Sequence, residues 1–506
     1  MFRRRSRVGE PVPLRKPQSP LGGVAALKSK QLGRRQRRLA LVATSALMIA
    51  GLFGAAAEAA PPPSGQVSFS STPSLFPNFG PYIYDYVVRC KNGPVTVQGH
   101  TSGGWEAAIG SHPFRSGDFS EVVPLSAGRA FTITVRDVAR TQVYRYYVRC
   151  LTGDFPQYTF TRYGAVSPKY FSVDPRNSGY AIIFDNHGVP VWWYHGSAYA
   201  TRVLPNKNVL WSSVGGWATH RLDGTLVRNL RGVGLLTDAH DLQLAGNGDH
   251  LVGAYVKQSH VDTRPYGPSD ATVINAELQE VSPGRELVWD WKSQRHISLT
   301  ETPARWWPDQ PPPRGYDLVH WNSIEPVGGS VIASFRTADA VYKIDKSTGR
   351  IVWKLGGTRT PRSLEVKQDP RQYTFGGQHD ARLLPDGTLT VFDNRSYLGD
   401  QAAGQAPRAV RYRIDEQAGT ATLLESISDP AVPVSICCGS ARQLPGGDWL
   451  IDWGPPRVIG GYKPNGESTF RLTFNNTFSY RAEPVPPGVV SPQDLRQAMN
   501  AMHGTP

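Results

Sequence analysis

Val341–Leu355 reads VYKIDKSTGRIVWKL, an apolar run, an Asp-to-Gly turn, then a second apolar run with a tryptophan. The pattern predicts a hairpin, because Asp and Gly supply turn conformations that β-branched and aromatic residues avoid. The same form, apolar-x-Asp-x-x-Gly-x-apolar-Trp, returns along the chain. It appears as IIFDNHGVPVWWYH (182–195), HRLDGTLVRNL (220–230), QEVSPGRELVWDW (279–291), RYRIDEQAGTATLLE (411–425) and GGYKPNGESTFRL (460–472). Between these copies lies a second hairpin form: RVLPNKNVLW (202–211), DLQLAGNGDHLVGAY (241–255), NSIEPVGGSVIASFR (322–336), DARLLPDGTLTVFDN (380–394) and SARQLPGGDWLIDWG (440–454). Six copies of one hairpin interleave with five of the other, so each pair forms a four-stranded unit. Repeats of this size and content predict an all-β chain built as a six-bladed β-propeller over 168–485, its first and last segments closing the ring.

Residues 66–160 carry no copy of the repeat. Strand-like runs such as DYVVRC, AFTITVRDV and VYRYYVRC predict a small β-sandwich-like domain there. Residues 486–506 read as a C-terminal tail.

The formal net charge of the 506-residue chain is +14, but it is not spread over the fold. Residues 1–38 hold 12 Lys and Arg against one Glu, a net of +11, which leaves +3 for the rest. The basic excess is therefore a tail, and a nucleic-acid-binding surface is not expected. Leu39–Ala57 is uncharged, and Ala57-Glu58-Ala59 comes next, with prolines after it. Residues 1–60 thus read as a basic tail with a signal peptide or membrane anchor. The chain beyond residue 60 is expected outside the cytoplasm, secreted or anchored, with membrane contact only through 39–57 if that run is retained. In such a compartment Cys90 and Cys150, each ending a VRC strand, are expected to pair. Cys437 and Cys438 are adjacent, and no cysteine pair has metal-site spacing.

The second hairpin form also locates a candidate site. In a propeller the innermost strands start at one mouth. His379 stands seven residues before the turn residue Asp386, His240 seven before Asn247, and His320 eight before Gly328. Three histidines are thus placed at three inner-strand starts. A hairpin returns its second strand beside its first, bringing Arg336 back to His320 and Asn394 back to His379. The last copy has Gly439 at the aligned position, so histidine is not a requirement of the hairpin. His187, His195, His220, His250, His260 and His296 lack this placement and are expected to be structural or superficial. Trp192, Trp193, Trp289, Trp291 and Trp353 are expected to pack one blade on the next.

The segments AHDLQL, DLVHWNSIEP, SFRTADAVYKIDKSTGRIVWKLGG and QHDARLLPDGTLTVFDN together resemble the bacterial aryl-sulfate sulfotransferases that work without a nucleotide sulfate donor. The likeness spans roughly residues 170–480 and is most specific from Asp317 to Asn394. It implies a six-bladed propeller that moves a sulfuryl group from a phenolic sulfate ester to a phenolic acceptor through a sulfohistidine, with no cofactor. By motif it implies His379 as the nucleophile, with His240, His320 and Arg336 as the other catalytic residues. Asn322, Asn394 and Gln378 are expected to contact substrate, and Trp306-Trp307 to hold an aryl ring. Two alternatives remain at the level of sequence. One is a non-catalytic propeller that binds a partner at its mouth. The other is a metal-dependent propeller hydrolase with His240-Asp241 and His379-Asp380 as ligands.

Overall fold

The structure, a computed structural model, describes residues 62, 65–308, 315–371, 374–396 and 405–504. The basic tail, the 39–57 run and the middle of the Pro-rich 305–317 loop lie outside the described residues. Among the described residues no helix is long and apolar enough to cross a membrane.

From Tyr158 onward the described residues form six sheets, each built on four antiparallel strands, three of them with a fifth strand added. The fourth sheet is typical: Trp321–Val327, Ser330–Phe335, Ala340–Asp345 and Ile351–Gly356 lie side by side. Chemistry in the turn explains why the motif recurs. Asp345 Oδ1 accepts the Thr348 N–H at 2.8 Å and the Ser347 hydroxyl at 2.7 Å, and Gly349 takes φ +69°. Asp185 Oδ1 does the same for the N–H groups of His187 and Val189, with Gly188 at φ +75°. The Asp closes the turn and the Gly supplies the left-handed residue.

The motif's tryptophan has a different task. Trp291 Nε1 donates to Gly349 O at 3.0 Å, in the turn of the next sheet, and Trp353 Nε1 donates to Glu416 Oε1 at 3.0 Å, again one sheet on. Trp192 likewise reaches Leu222 O at 2.7 Å. Each indole ties the outer strand of one sheet to its neighbour. Trp289 stands apart, only partly buried at the edge of the core.

Ser479–Pro484 pairs with Tyr170–Pro175, so residues from both ends of the repeat region share one sheet. Tyr158–Arg162 pairs with the outer strand Ser468–Phe474. Side chains also link the first strands of successive sheets. The Ile324 N–H donates to Asp241, Ala381 N–H to Ser323, Ala441 N–H to Asp380, and Ala482 N–H to Ser440.

Residues 67–150 form two further sheets. Val67–Thr72, Val95–Thr101 and Gly117–Val123 make one; Asp85–Val88, Val143–Cys150, Ala130–Asp137 and Trp105–Ile109 make the other. They enclose a core that includes Val95, Val97, Ile133, Val135, Tyr146 and Val148. Cys90 and Cys150 are bonded within it, with Cα atoms 5.6 Å apart.

The 486–506 segment is not simply a tail, since Pro492–His503 is an α-helix. Ser491 Oγ accepts the Asp494 N–H at 3.1 Å while Asp494 takes the Ser491 N–H at 2.8 Å, a capping box with Pro at the first helical position. Its Leu495 and Met499 are buried with Trp192 and Trp193.

Candidate active site

His379 opens the first strand of the fifth sheet, His379–Leu383, and is 2 % exposed. The register shifts between His379 and Arg382, and Asp380 sits at φ +58°. Such a bulge re-aims the side chain beside it. His320 lies at a similar kink, φ +43°, before the shift between Trp321 and Ser323. Ala200 has φ +52° in a sheet without a histidine at that place, so the kink belongs to the strand architecture and the histidines occupy it.

Asn394 returns beside His379 and fixes its state. The Asn394 amide nitrogen donates to Cys438 O at 2.9 Å and to Ser435 Oγ at 3.1 Å. Its oxygen therefore faces His379 Nδ1 at 2.7 Å, so Nδ1 carries the hydrogen, which Gly377 O also accepts at 3.0 Å. The lone pair of His379 is then on Nε2, where the Cys438 N–H approaches at 3.2 Å. Burial, followed by the charge of Arg336 and then by His320 and His240, holds the His379 pKa well below the ordinary histidine range. The result is a neutral imidazole with its base nitrogen at Nε2.

His240 and His320 face each other, with ring centroids 5.1 Å apart and planes at 83°. Each is held at Nδ1 by a carboxylate, Asp238 Oδ1 at 2.6 Å and Asp317 Oδ2 at 2.5 Å. Both carboxylates also accept the backbone N–H of their own histidine. Burial alone would raise the Asp238 pKa; the neighbouring His240 outweighs it and holds the carboxyl below its usual range. The Nε2 edges are left for other contacts. Tyr255 and Tyr480 complete the wall, with Tyr480 at 5.6 Å from the His240 ring and 6.2 Å from the His379 ring.

Arg336 donates its backbone N–H to His320 O at 2.9 Å, which places it level with that histidine. Its guanidinium lies 4.5 Å from the Trp306 ring and reaches Ile436 O at 3.3 Å. Trp306 and Trp307 are themselves buried, Trp307 against Tyr266 and Tyr316. Trp306 supports the arginine rather than offering an open face to an aryl ring.

Asn322 and Gln378 are also fully buried, and their amide nitrogens are directed at neighbouring groups of the protein. Asn322 Nδ2 donates to Gln378 O at 2.8 Å, while Gln378 Nε2 meets Ser334 Oγ, Phe335 O and Ala340 O within 3.1 Å. They are clamps between the fourth and fifth sheets.

The aspartates that come directly after two of the histidines have a similar task. Asp241 pairs with Arg382 at 2.8 Å and Arg481 at 3.3 Å; Asp380 pairs with Arg382, Arg442 and Arg481. Both carboxylates are committed to arginines, which weighs against their use as metal ligands beside His240 and His379. Other histidines lie elsewhere in stacks: His195 on Tyr180, His220 on Trp211, His296 on Trp291.

Sequence reasoning missed Asp238, Asp317, Tyr255, Tyr480 and the Cys438 amide. The aspartates had a local signal, since D-x-H and D-x-x-H place a carboxylate within reach of the ring. The tyrosines and the amide come from distant strands and had none.

The sequence model of the family described as Arylsulfotransferase (ASST) matches residues 158–475, well over half of the chain. No curated protein matches it. Among solved structures, the chain is similar to a protein of unknown function from Bacteroides caccae, at 12 % identity and TM-score 0.41, covering 63 % of this chain and 100 % of that one. It is also similar to the periplasmic gluconolactonase of Pseudomonas aeruginosa, at 15 % identity and TM-score 0.35, over 63 % and 99 % of the two chains. A third is virginiamycin B lyase from Staphylococcus aureus, at 9 % identity and TM-score 0.32, over 63 % and 99 %. Likenesses this distant carry no argument about activity.

Proposed function

The chain belongs to the arylsulfotransferase family, and from that premise we propose that it transfers a sulfuryl group from a phenolic sulfate ester to a phenolic acceptor through a sulfohistidine at His379. Aryl sulfotransfer in general comes with the family; the covalent route is our reading of the site. One observation carries it: a buried, neutral His379 whose Nδ1–H is held by Asn394, leaving the Nε2 lone pair for attack within the charge field of His240, His320 and Arg336.

In the first half-reaction the Nε2 lone pair attacks sulfur. The N–S bond forms, the S–O bond to the aryl group breaks, and the phenolate leaves with the electron pair. Arg336 and the Nε2 edge of His240 face the sulfuryl oxygens, where charge-assisted donors are strongest. His320, held by Asp317, gives its proton to the departing phenolate. The Cys438 N–H, freed from Nε2 once sulfur is bound there, is placed to donate to a sulfuryl oxygen. The acceptor phenol then gives its proton to His320 and attacks sulfur. The N–S bond breaks and its electron pair returns to Nε2.

We further read the six sheets as the blades of a β-propeller, supported by the shared first sheet and the side-chain links between inner strands. Residues 66–160 are read as a sandwich-like domain, supported by two sheets on one core. Export is supported by the apolar 39–57 run after a basic tail and by the Cys90–Cys150 bond. The activity is tested with a chromogenic aryl sulfate. Phenol release should accelerate when a second phenol is added, and the sulfated acceptor should appear in equal amount. Release that ignores the acceptor and yields free sulfate would show a hydrolase instead.

A further inference from the structure

Ser435–Gly439 contacts four residues of the site. Ser435 Oγ meets Asn394, the Ile436 carbonyl accepts from Arg336, the Cys438 amide contacts His379 and Asn394, and the Gly439 N–H donates to Tyr480 O at 2.9 Å. Within this segment stand two free thiols on adjacent residues, Cys437 half-buried and Cys438 buried. They are distinct from the bonded Cys90–Cys150 pair. We propose that Cys437 and Cys438 form a dithiol modification site that reacts with disulfides, and that closing their mutual bond withdraws the Cys438 peptide from His379 and stops turnover.

The neighbouring Cys438 thiol, together with the charges of Arg336, Arg176 and His240 and against the effect of burial, pushes the Cys437 thiol pKa down, towards the thiolate. A thiolate of that kind is the attacking species in disulfide exchange. Neighbouring Cα atoms across a trans peptide are about 3.8 Å apart. Unstrained disulfides span roughly 4.4–6.8 Å, so a bond between neighbours strains the backbone and is readily reduced.

The segment has no slack to absorb that strain. Cys438 is at φ +62°, and Gly454 lies so close that a Cβ there would meet Cys437 O at 2.7 Å. The Cys438 residue offers its N–H to His379 Nε2 and its carbonyl to Asn394, which in turn holds Nδ1. Turning this residue disturbs both ring nitrogens at once.

The chemistry balances. The Cys437 thiolate attacks one sulfur of an external disulfide, forming a mixed disulfide and releasing a thiolate. That thiolate takes the Cys438 proton. Cys438 sulfur then attacks Cys437 Sγ, expelling the second external thiolate, which is protonated from water. Two protein thiols are oxidised, and one external disulfide is reduced to two thiols.

The effect on turnover rests on His379 being the nucleophile, so the test reads bond and ring separately from rate. The full chain, labelled with nitrogen-15 at histidine, is treated with oxidised glutathione. The expected result has three parts: a Cys437–Cys438 bond in non-reduced peptide maps, a shifted His379 Nε2 resonance, and aryl-sulfate turnover lowered by roughly a hundredfold, as for a misplaced reacting group. Mild dithiothreitol, with Cys90–Cys150 still bonded in the maps, should restore the rate. Cys437→Ser, measured against its own untreated rate, should be indifferent to the oxidant. Free thiols or only a glutathione adduct after treatment would overturn the proposal. So would a mapped bond with rate and resonance unchanged. An untreated chain without turnover would count against sulfotransfer, while map and resonance would still decide whether the bond forms and moves the ring.

Discussion

His379 is neutral because it is buried and faces cations, and this gives a pH dependence with a definite sign. Its folded pKa lies well below the ordinary value of about 6.5. The proposed nucleophile is therefore lost only as pH falls through that depressed value, and the acid limb of kcat/KM should lie well below about pH 6.5. Stability depends on the same group. The unfolded chain takes up a proton near pH 6.5 and the folded one does not, so this contribution is present above that pH and is lost as pH falls towards the folded value. Asn394→Asp places a carboxylate at Nδ1, favours the imidazolium, and should move the acid limb upward. An unchanged profile would remove Asn394 from its role. Arg336→Ala should slow transfer by about a hundredfold or more, the typical effect of losing an oxyanion donor. Arg336→Lys should restore only part, since a point charge does not replace the planar fork. Initial rates of the two variants on one aryl sulfate check both statements.

Among the elements, the hairpins were the most legible part of the sequence, and their periodicity located the candidate site. The turns at Asn247-Gly248, Gly328-Gly329 and Asp386-Gly387 set strand direction locally, which is why three histidines on different strands were legible as neighbours. The functions of Asn322 and Gln378 were not legible. Whether an amide faces the cavity or the next strand depends on kinks at His320 and Asp380 that spacing does not reveal. The 492–503 helix was legible in principle, because Ser491-Pro492 and Asp494 form a start signal. Its short apolar face, Leu495 and Met499, is easily passed over in an all-β chain. Ser491→Ala should lower stability by about 1 kcal/mol through loss of the cap. Thermal melts should show the drop, with the aryl-sulfate rate at low temperature unchanged.

Across the whole molecule, long-range pairs hold the ends together. Arg481, on the closing strand, is buried between Asp241 and Asp380. Removing one partner from a buried ionic cluster typically costs about 3–5 kcal/mol, so Arg481→Ala should unfold at markedly lower denaturant than the parent. A melt within error of the parent would show that the first sheet closes without it. The Cys90–Cys150 bond closes a separation of 60 residues. A chain-entropy argument gives about 4 kcal/mol for such a loop, and the double serine variant should lose stability on that scale. A fusion of residues 1–65 to a reporter active only outside the cytoplasm should give signal; a silent cytosolic fusion would contradict export. The covalent step at His379 is open to one direct measurement. The full chain is incubated with an aryl sulfate in the absence of acceptor, quenched at neutral or alkaline pH, and digested. One added sulfuryl group should be found, located on His379, and it should disappear when a phenol is supplied. An adduct on another residue, or undiminished turnover in His379→Ala, would show that the sulfuryl group does not travel through this histidine.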